Sequence, residues 1–316
     1  MIRQPERPLL TRDDIPDLPP WIMDATSVFN PGAVRIDDTD HLLLRVQTRG
    51  RRTFLVPTRR DKVATPPTVL RGLDTGGVFH IYDPRLTVLD GRLLVVTALD
   101  TAHGGRLALW EATGDVTSGW AGLERLDFIG LTGNYDTRNG VLFPRRSGGE
   151  YLLLERPNRV VADGAPPTGD TVQLLASDDL VTWRAVGPVF GGRPHYWDEL
   201  VGAGPPPVLT PRGWLLIYHG VATHFGAANI YQGGCLLLDR DDPTRVLARC
   251  RDNILEPRRT WELTGQVPNV VFPSGLTVKP GGDVNIYYGA ADTCVGCATT
   301  TLDALLAACG DEGADP

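Results

Sequence analysis

The sequence predicts an all-β fold, a five-bladed β-propeller ending in a short C-terminal helix. Three observations lead there. A proline-centred tip, a turn and an apolar run recur five times: FNPGAV before HLLLRVQ, YDPRLT before RLLVVTA, LFPRRS before YLLLERP, PPPVLT before WLLIYHG, and VFPSGLT before NIYYGAAD. The tip prolines, Pro31, Pro84, Pro144, Pro207 and Pro273, stand roughly sixty residues apart. Repeats of that kind, rich in β-formers and Gly/Pro turns, are how four-stranded blades read in sequence. Helical periodicity appears only in TLDALLAAC, residues 301–309.

In chain order, residues 1–26 are proline-rich and acidic and read as an N-terminal arm. Residues 27–316 read as one propeller domain. Short runs such as residues 42–46, 93–96, 151–154 and 215–218 are bounded by Gly, Pro, Asp and Asn, the punctuation of strands. The stretches 163–170 and 191–194 read as loops long enough to rim a pocket, where specificity resides on a rigid scaffold. The closing GDEGADP is a solvated tail.

Composition narrows the function classes. At 42% hydrophobic and 22% charged, the 316 residues can build a full core. A net charge of −7 and no basic run exclude a nucleic-acid partner. No apolar stretch of membrane-spanning length and no signal-peptide core occur, so no membrane partner and a cytoplasmic location are expected. Five cysteines make an odd, loosely spaced set unlike a disulfide framework. Cys294 and Cys297 form a lone CxxC without a second pair, so no metal and no organic cofactor are expected. Assembly as a homo-oligomer is compatible with the sequence.

Equivalent points of five repeats converge on one channel, so their polar residues are the candidate site. Asn30 precedes Pro31, and Asp83 and Arg85 flank Pro84. In NYDTRNGVLFP, Asp136 lies beside Tyr135 and Arg138, a carboxyl with neighbours able to tune it; the plain alternative is an Asx-turn aspartate. Arg156 ends YLLLER, His219 ends WLLIYH and Asp292 ends YYGAAD. Planar donors and acceptors beside aromatic rings suit sugar hydroxyls and sugar faces. Tyr196, Trp197, Phe225 and Tyr231 are candidate platforms, or else blade packing.

These motifs, with ERP, the VGAGPPP stretch and VPNVVFPSG, follow in order over residues 27–298 and resemble glycoside hydrolase family 130, the β-mannoside phosphorylases and β-mannosidases. The resemblance implies a five-bladed propeller acting on β-mannoside oligosaccharides with inversion. It implies Asp136 as the acid, passing its proton through a mannose hydroxyl. Asn30, Arg45, Asp83 and Arg85 would hold the transferred mannose, Tyr135 and Asp292 would contact the sugar in the accepting subsite, and Arg138 would contact substrate. Arg156 and His219 would bind inorganic phosphate, the co-substrate of a phosphorylase.

One departure shifts the expectation. The family's phosphorylases usually carry a lysine just before the GAGPPP segment, whereas here the residues are Trp197-Asp198-Glu199-Leu200-Val201-Gly202, and Lys62 and Lys279 are the chain's only lysines. A carboxylate repels phosphate at short range but can deprotonate water. An inverting hydrolase with Asp136 as acid and Glu199 as base is therefore the leading expectation, the two groups standing about 6.5–9.5 Å apart. Glu262 is the reserve base. Phosphorolysis, with Arg145, Arg146, Arg159 and Arg193 able to supply cations, is the alternative; a non-catalytic glycan-binding propeller is the second.

Overall fold

The computed structural model describes residues 2–59, 62–63, 66–158, 169–224 and 228–310. Phe225, Arg159 and residues 163–168 lie outside the described residues. Five antiparallel sheets form the blades of a propeller. Blade one is Ala25–Ile36, Thr39–Thr48, Thr53–Arg59 and Lys62–Val63; blade two is Val78–Leu89, Arg92–Thr101, Gly104–Ala112 and Arg125–Leu131, with Val69–Arg71 added in parallel at its outer edge. Blade three is Thr137–Leu142, Tyr151–Pro157, Thr171–Ser177 and Arg184–Gly191. In blade four, Leu200–Ala203 and Val208–Thr210 both pair with Gly213–Ala222, followed by Ile230–Leu238 and Val246–Arg249. Blade five is Val271–Val278, Asp283–Ala290 and Cys294–Thr301.

The five apolar runs read from the sequence are the second strands of the five blades. Their continuous hydrophobicity has a simple cause: a second strand lies inside its sheet and is covered on both faces by neighbouring blades. Leu42, Leu43 and Leu44 are consecutive, point alternately to opposite faces, and are all fully buried. The helix over residues 301–309 also forms, as Leu302–Cys309, with the Thr301 hydroxyl accepting from the Ala304 N–H at its start. Leu305 and Cys309 are its buried residues.

The tip prolines are less uniform than their spacing predicts. Pro31, Pro84 and Pro273 lie inside first strands, at breaks in the pairing register. Pro144 instead follows Thr137–Leu142, and Pro207 immediately precedes Val208–Thr210. In blades one, two and three the register skips the pairs Asn30–Pro31, Asp83–Pro84 and Asn139–Gly140. Bulges of this kind re-aim a side chain. Asn30, Asp83 and Asn139 share the same left-handed backbone, with φ of 46°, 52° and 56°. Gly140, not Pro144, is thus the structural counterpart of Pro31 and Pro84.

The N-terminal arm folds against the last blade. Arg3 and Leu10 form antiparallel bridges to Thr299 and Val295 on the strand Cys294–Thr301, the outer edge of the three-stranded fifth sheet. Leu10, Ile15, Leu18 and Ile22 are buried against Val295, Cys297 and the first blade.

Candidate active site

The bulged first strands surround a cavity of about 280 Å³ into which Asn30, Asp83 and Asn139 project. Arg45, Tyr82, Arg85, Asp100, Arg138, Arg156, His219, Tyr231 and Asp292 also line it. All five blades contribute. The strands approach so closely that some positions admit only glycine: a Cβ on Gly289 would fall 1.9 Å from the Asn30 Oδ1, and one on Gly202 would meet the His219 ring at 2.4 Å and the Asn139 Nδ2 at 2.5 Å.

One part of the wall is built around Asp83. Its Oδ1 accepts from the Asn30 Nδ2 at 3.0 Å and from the Arg45 Nη1 at 2.9 Å. Arg45 is held between the Phe29 and Tyr82 rings, 4.4 and 4.5 Å from their centroids. Asp100 is anchored in the same manner, accepting from the Tyr82 hydroxyl at 2.7 Å and from the Arg138 Nη2 at 3.1 Å. Asp292, at φ 51°, completes this group. Burial pushes its carboxyl up to about 6, with the Asp83 charge adding to the shift and Arg45 opposing it.

The other part is cationic. Arg85 gives its Nε to the Gly204 carbonyl at 2.8 Å and its Nη1 to the carbonyls of Asp83 and Pro84, while its Nη2 has no partner. Arg156 gives its Nη2 to the Asn158 Oδ1 at 3.0 Å and leaves its Nε unpaired. Among the described residues neither guanidinium has a carboxylate ion pair. Burial pulls both down to about 10, outweighing the opposing charges of Asp83 on Arg85 and of Asp136 on Arg156. His219, tilted over Phe272 at 4.5 Å, is held neutral by burial and by the Arg156 and Arg85 charges, and its Nδ1 is unpaired.

The remaining sequence candidates lie elsewhere. Asp136 is not in the cavity lining; its Oδ1 accepts from the Gly105 N–H at 2.6 Å and the Asn158 Nδ2 at 2.8 Å, and its charge acts on Arg138 and Arg156. Tyr135 is 38% exposed, its hydroxyl donating to the buried carboxylate of Glu155, which also accepts from Thr137 and Gln173. Glu199 accepts from the Thr223 hydroxyl outside the cavity lining, a bond that holds its carboxyl below the usual range. Glu262 is fully buried and saturated by the Tyr288 hydroxyl, Gln4 and the backbone N–H groups of Arg258 and Arg259. Of the aromatic candidates, Tyr231 reaches the cavity, stacked on His219 at 6.2 Å, whereas Trp197 stacks on the buried Tyr218 at 5.8 Å. Arg193 is spent on Asp198, which it meets twice at 2.8 Å. Arg146 pairs with Asp90 at the surface.

Tyr82, Thr97, Asp100 and Asn139 are polar lining residues that sequence reasoning missed. The signal for Asn139 is an Asn-Gly pair in the place of Asn-Pro and Asp-Pro, which proline spacing with Pro144 as the third tip does not pick out.

The family model described as beta-1,4-mannooligosaccharide phosphorylase matches residues 21–311. A beta-1,4-mannooligosaccharide phosphorylase of Ruminococcus albus is 36% identical over 225 residues, 70% of this chain and 63% of that protein, so the match spans less than two thirds of the relative's length. A 1,2-beta-oligomannan phosphorylase of Thermoanaerobacter is 34% identical over 72% of this chain and 68% of its own. The solved structure of a beta-1,2-mannobiose phosphorylase from Listeria innocua, in complex with beta-1,2-mannobiose, superposes with a TM-score of 0.83 at 24% identity, covering 98% of this chain and 99% of the other. The chain belongs to glycoside hydrolase family 130.

Proposed function

We propose that this protein cleaves β-mannosides by phosphorolysis, releasing mannose 1-phosphate with inversion at the anomeric carbon. The observation that carries the reading is the pair of buried guanidinium groups, Arg85 and Arg156, that share the cavity with neutral His219 and have no carboxylate ion pair among the described residues. Desolvating a cation costs several kcal/mol unless an anion answers it. Phosphate, with two charges and oxygens that accept planar N–H pairs, is the answering ligand that arginine suits. These arginines supply the charge that the absent lysine would have brought.

Hydrolysis is the weaker reading. Its base, Glu199, stands outside the cavity lining with its carboxylate bonded to Thr223, and its reserve, Glu262, has its acceptor sites filled. The relatives named above are phosphorylases. In the proposed site Asn30, Arg45 and Asp83 hold the mannose being transferred, Arg138 reaches the same ring, and Asp292 and Tyr135 serve the accepting subsite. Asp136, the acid that the resemblance implies, is removed from the cavity lining, so a proton from it has to travel through a sugar hydroxyl.

The test is consumption of β-1,2- and β-1,4-mannobiose with and without inorganic phosphate, separating mannose from mannose 1-phosphate. Phosphate-dependent mannose 1-phosphate is expected. Free mannose at a phosphate-independent rate would restore hydrolysis, and a sugar that binds without turnover would leave a glycan-binding propeller.

A further inference from the structure

We propose that Val267 is the apolar platform of the accepting subsite, a specificity-determining residue for the sugar that leaves; the assignment rests on the phosphorolytic reading. Of the large apolar side chains that stand exposed among the described residues, Val267 alone lines the cavity. It is 41% exposed, whereas Ala98, Leu107, Val270 and Phe272 on the same wall are buried. A lining residue as open as that stands at the cavity mouth and offers its surface to whatever enters.

The chain around Val267 holds it still. It lies between the short helix Thr260–Leu263 and the first strand of blade five. Its own N–H donates to the Ala291 carbonyl at 3.2 Å, next to Asp292. Gln266 is tied twice, by its N–H to the Thr293 Oγ1 at 3.1 Å and by its Nε2 to the Ser27 Oγ of blade one at 2.9 Å. Beyond Pro268, the Asn269 carbonyl accepts from the Tyr231 N–H of blade four at 2.9 Å. Blades one, four and five all grip this segment. Pro268 confines the residue before it to extended backbone, and a β-branched side chain has few rotamers. Little freedom remains to be lost when a ligand arrives, and a preformed surface binds better for that reason.

The chemistry of a sugar fits such a surface. A pyranose carries hydroxyls around its edge and C–H groups on its faces, and a site orients it by joining apolar surface to a few polar groups. Asp292 and Tyr231 line the cavity as groups for the edge, and Val267 supplies a surface for a face. Openness decides which sugar this is. Asn30, Arg85, Arg156 and His219, which serve the transferred mannose and the phosphate, are all buried. Val267 is open to solvent and so belongs with the outer sugar, the one released by phosphorolysis and accepted in the reverse reaction.

The experiment runs the reaction backwards, from mannose 1-phosphate with mannose or β-mannobiose as acceptor, so that the two subsites are titrated separately. Full-length wild type is compared with Val267→Ala, Val267→Thr and Leu263→Ala. Both Val267 variants should raise the acceptor KM by ~3–10-fold and leave the KM for mannose 1-phosphate unchanged. Threonine keeps the outline of valine but brings a hydroxyl, so a loss in both variants identifies an apolar contact. Leu263 is 38% exposed in the same segment but outside the cavity lining, and its variant should leave both constants unchanged. Equal melting temperatures verify the fold. An unchanged acceptor KM, equal rises in both KM values, or the same split in Leu263→Ala would overturn the assignment. So would a loss in Val267→Ala that threonine restores, which would make residue 267 a filler of space. A wild type that couples mannose 1-phosphate to neither acceptor would overturn the phosphorolytic reading and the assignment with it.

Discussion

A guanidinium group taken out of water without a carboxylate ion pair destabilises the fold that holds it, and among the described residues Arg85 and Arg156 have none, so both should respond to an anion. Phosphate at 100 times its Kd should add about 2.7 kcal/mol of stability, read as a rise in melting temperature. Arg156→Met should abolish that rise while leaving the phosphate-free protein equally or more stable, since removing an unpaired buried charge relieves a cost. Asp292 gives a second signature of its own. Its folded carboxyl lies above its ordinary value of 3.8, so between that value and about 6 the folded chain binds more protons than the unfolded one. Stability attributable to this group is therefore fully present below the ordinary value and lost as pH rises through about 6. Urea melts of Asp292→Asn across that window should show a flatter pH dependence than the wild type. At this scale the sequence was informative where a polar residue ended an apolar run, as Arg156 and His219 do. It was silent where the evidence is an absence, since an unpaired N–H leaves no mark in a string of letters.

The blades show why element-level reading succeeded for second strands and slipped for first ones. A strand covered on both faces must be apolar throughout, and runs such as YLLLERP and WLLIYHG carry that requirement openly. A first strand bends at a bulge, and its defining feature is a left-handed residue that Asn, Asp or Gly can adopt. Asn139-Gly140 meets the same backbone demand as Asn30-Pro31 with different letters, so a search anchored on proline passed it by. Close approach of these strands makes Gly202 a wedge point between His219 and Asn139. Gly202→Ala should cost about 1–3 kcal/mol, as overpacking does, and weaken phosphate more than mannose, because His219 moves first. Denaturant melts and separate titrations of the two ligands check both parts.

At the level of the whole molecule, Arg3 and Leu10, ahead of the first blade strand that opens at Ala25, are bridged to the edge of the fifth blade at Thr299 and Val295. That pairing was not legible, because bridges between distant ends follow no local pattern. Removing residues 1–12 should lower the melting temperature and expose an unpaired strand edge, a known route to aggregation; light scattering during a thermal ramp would detect it, and unchanged melting would show the arm to be dispensable. The same geometry has a consequence for the order in which the protein is made. Asn30 belongs to the first blade and Asp292 to the last, and both face one cavity. A ribosome therefore releases nearly the entire chain before the two can meet. Nascent chains lacking the fifth blade carry most of the cavity-lining residues but not its last wall, so a ligand of that cavity should not stabilise the growing polypeptide while it is still being translated.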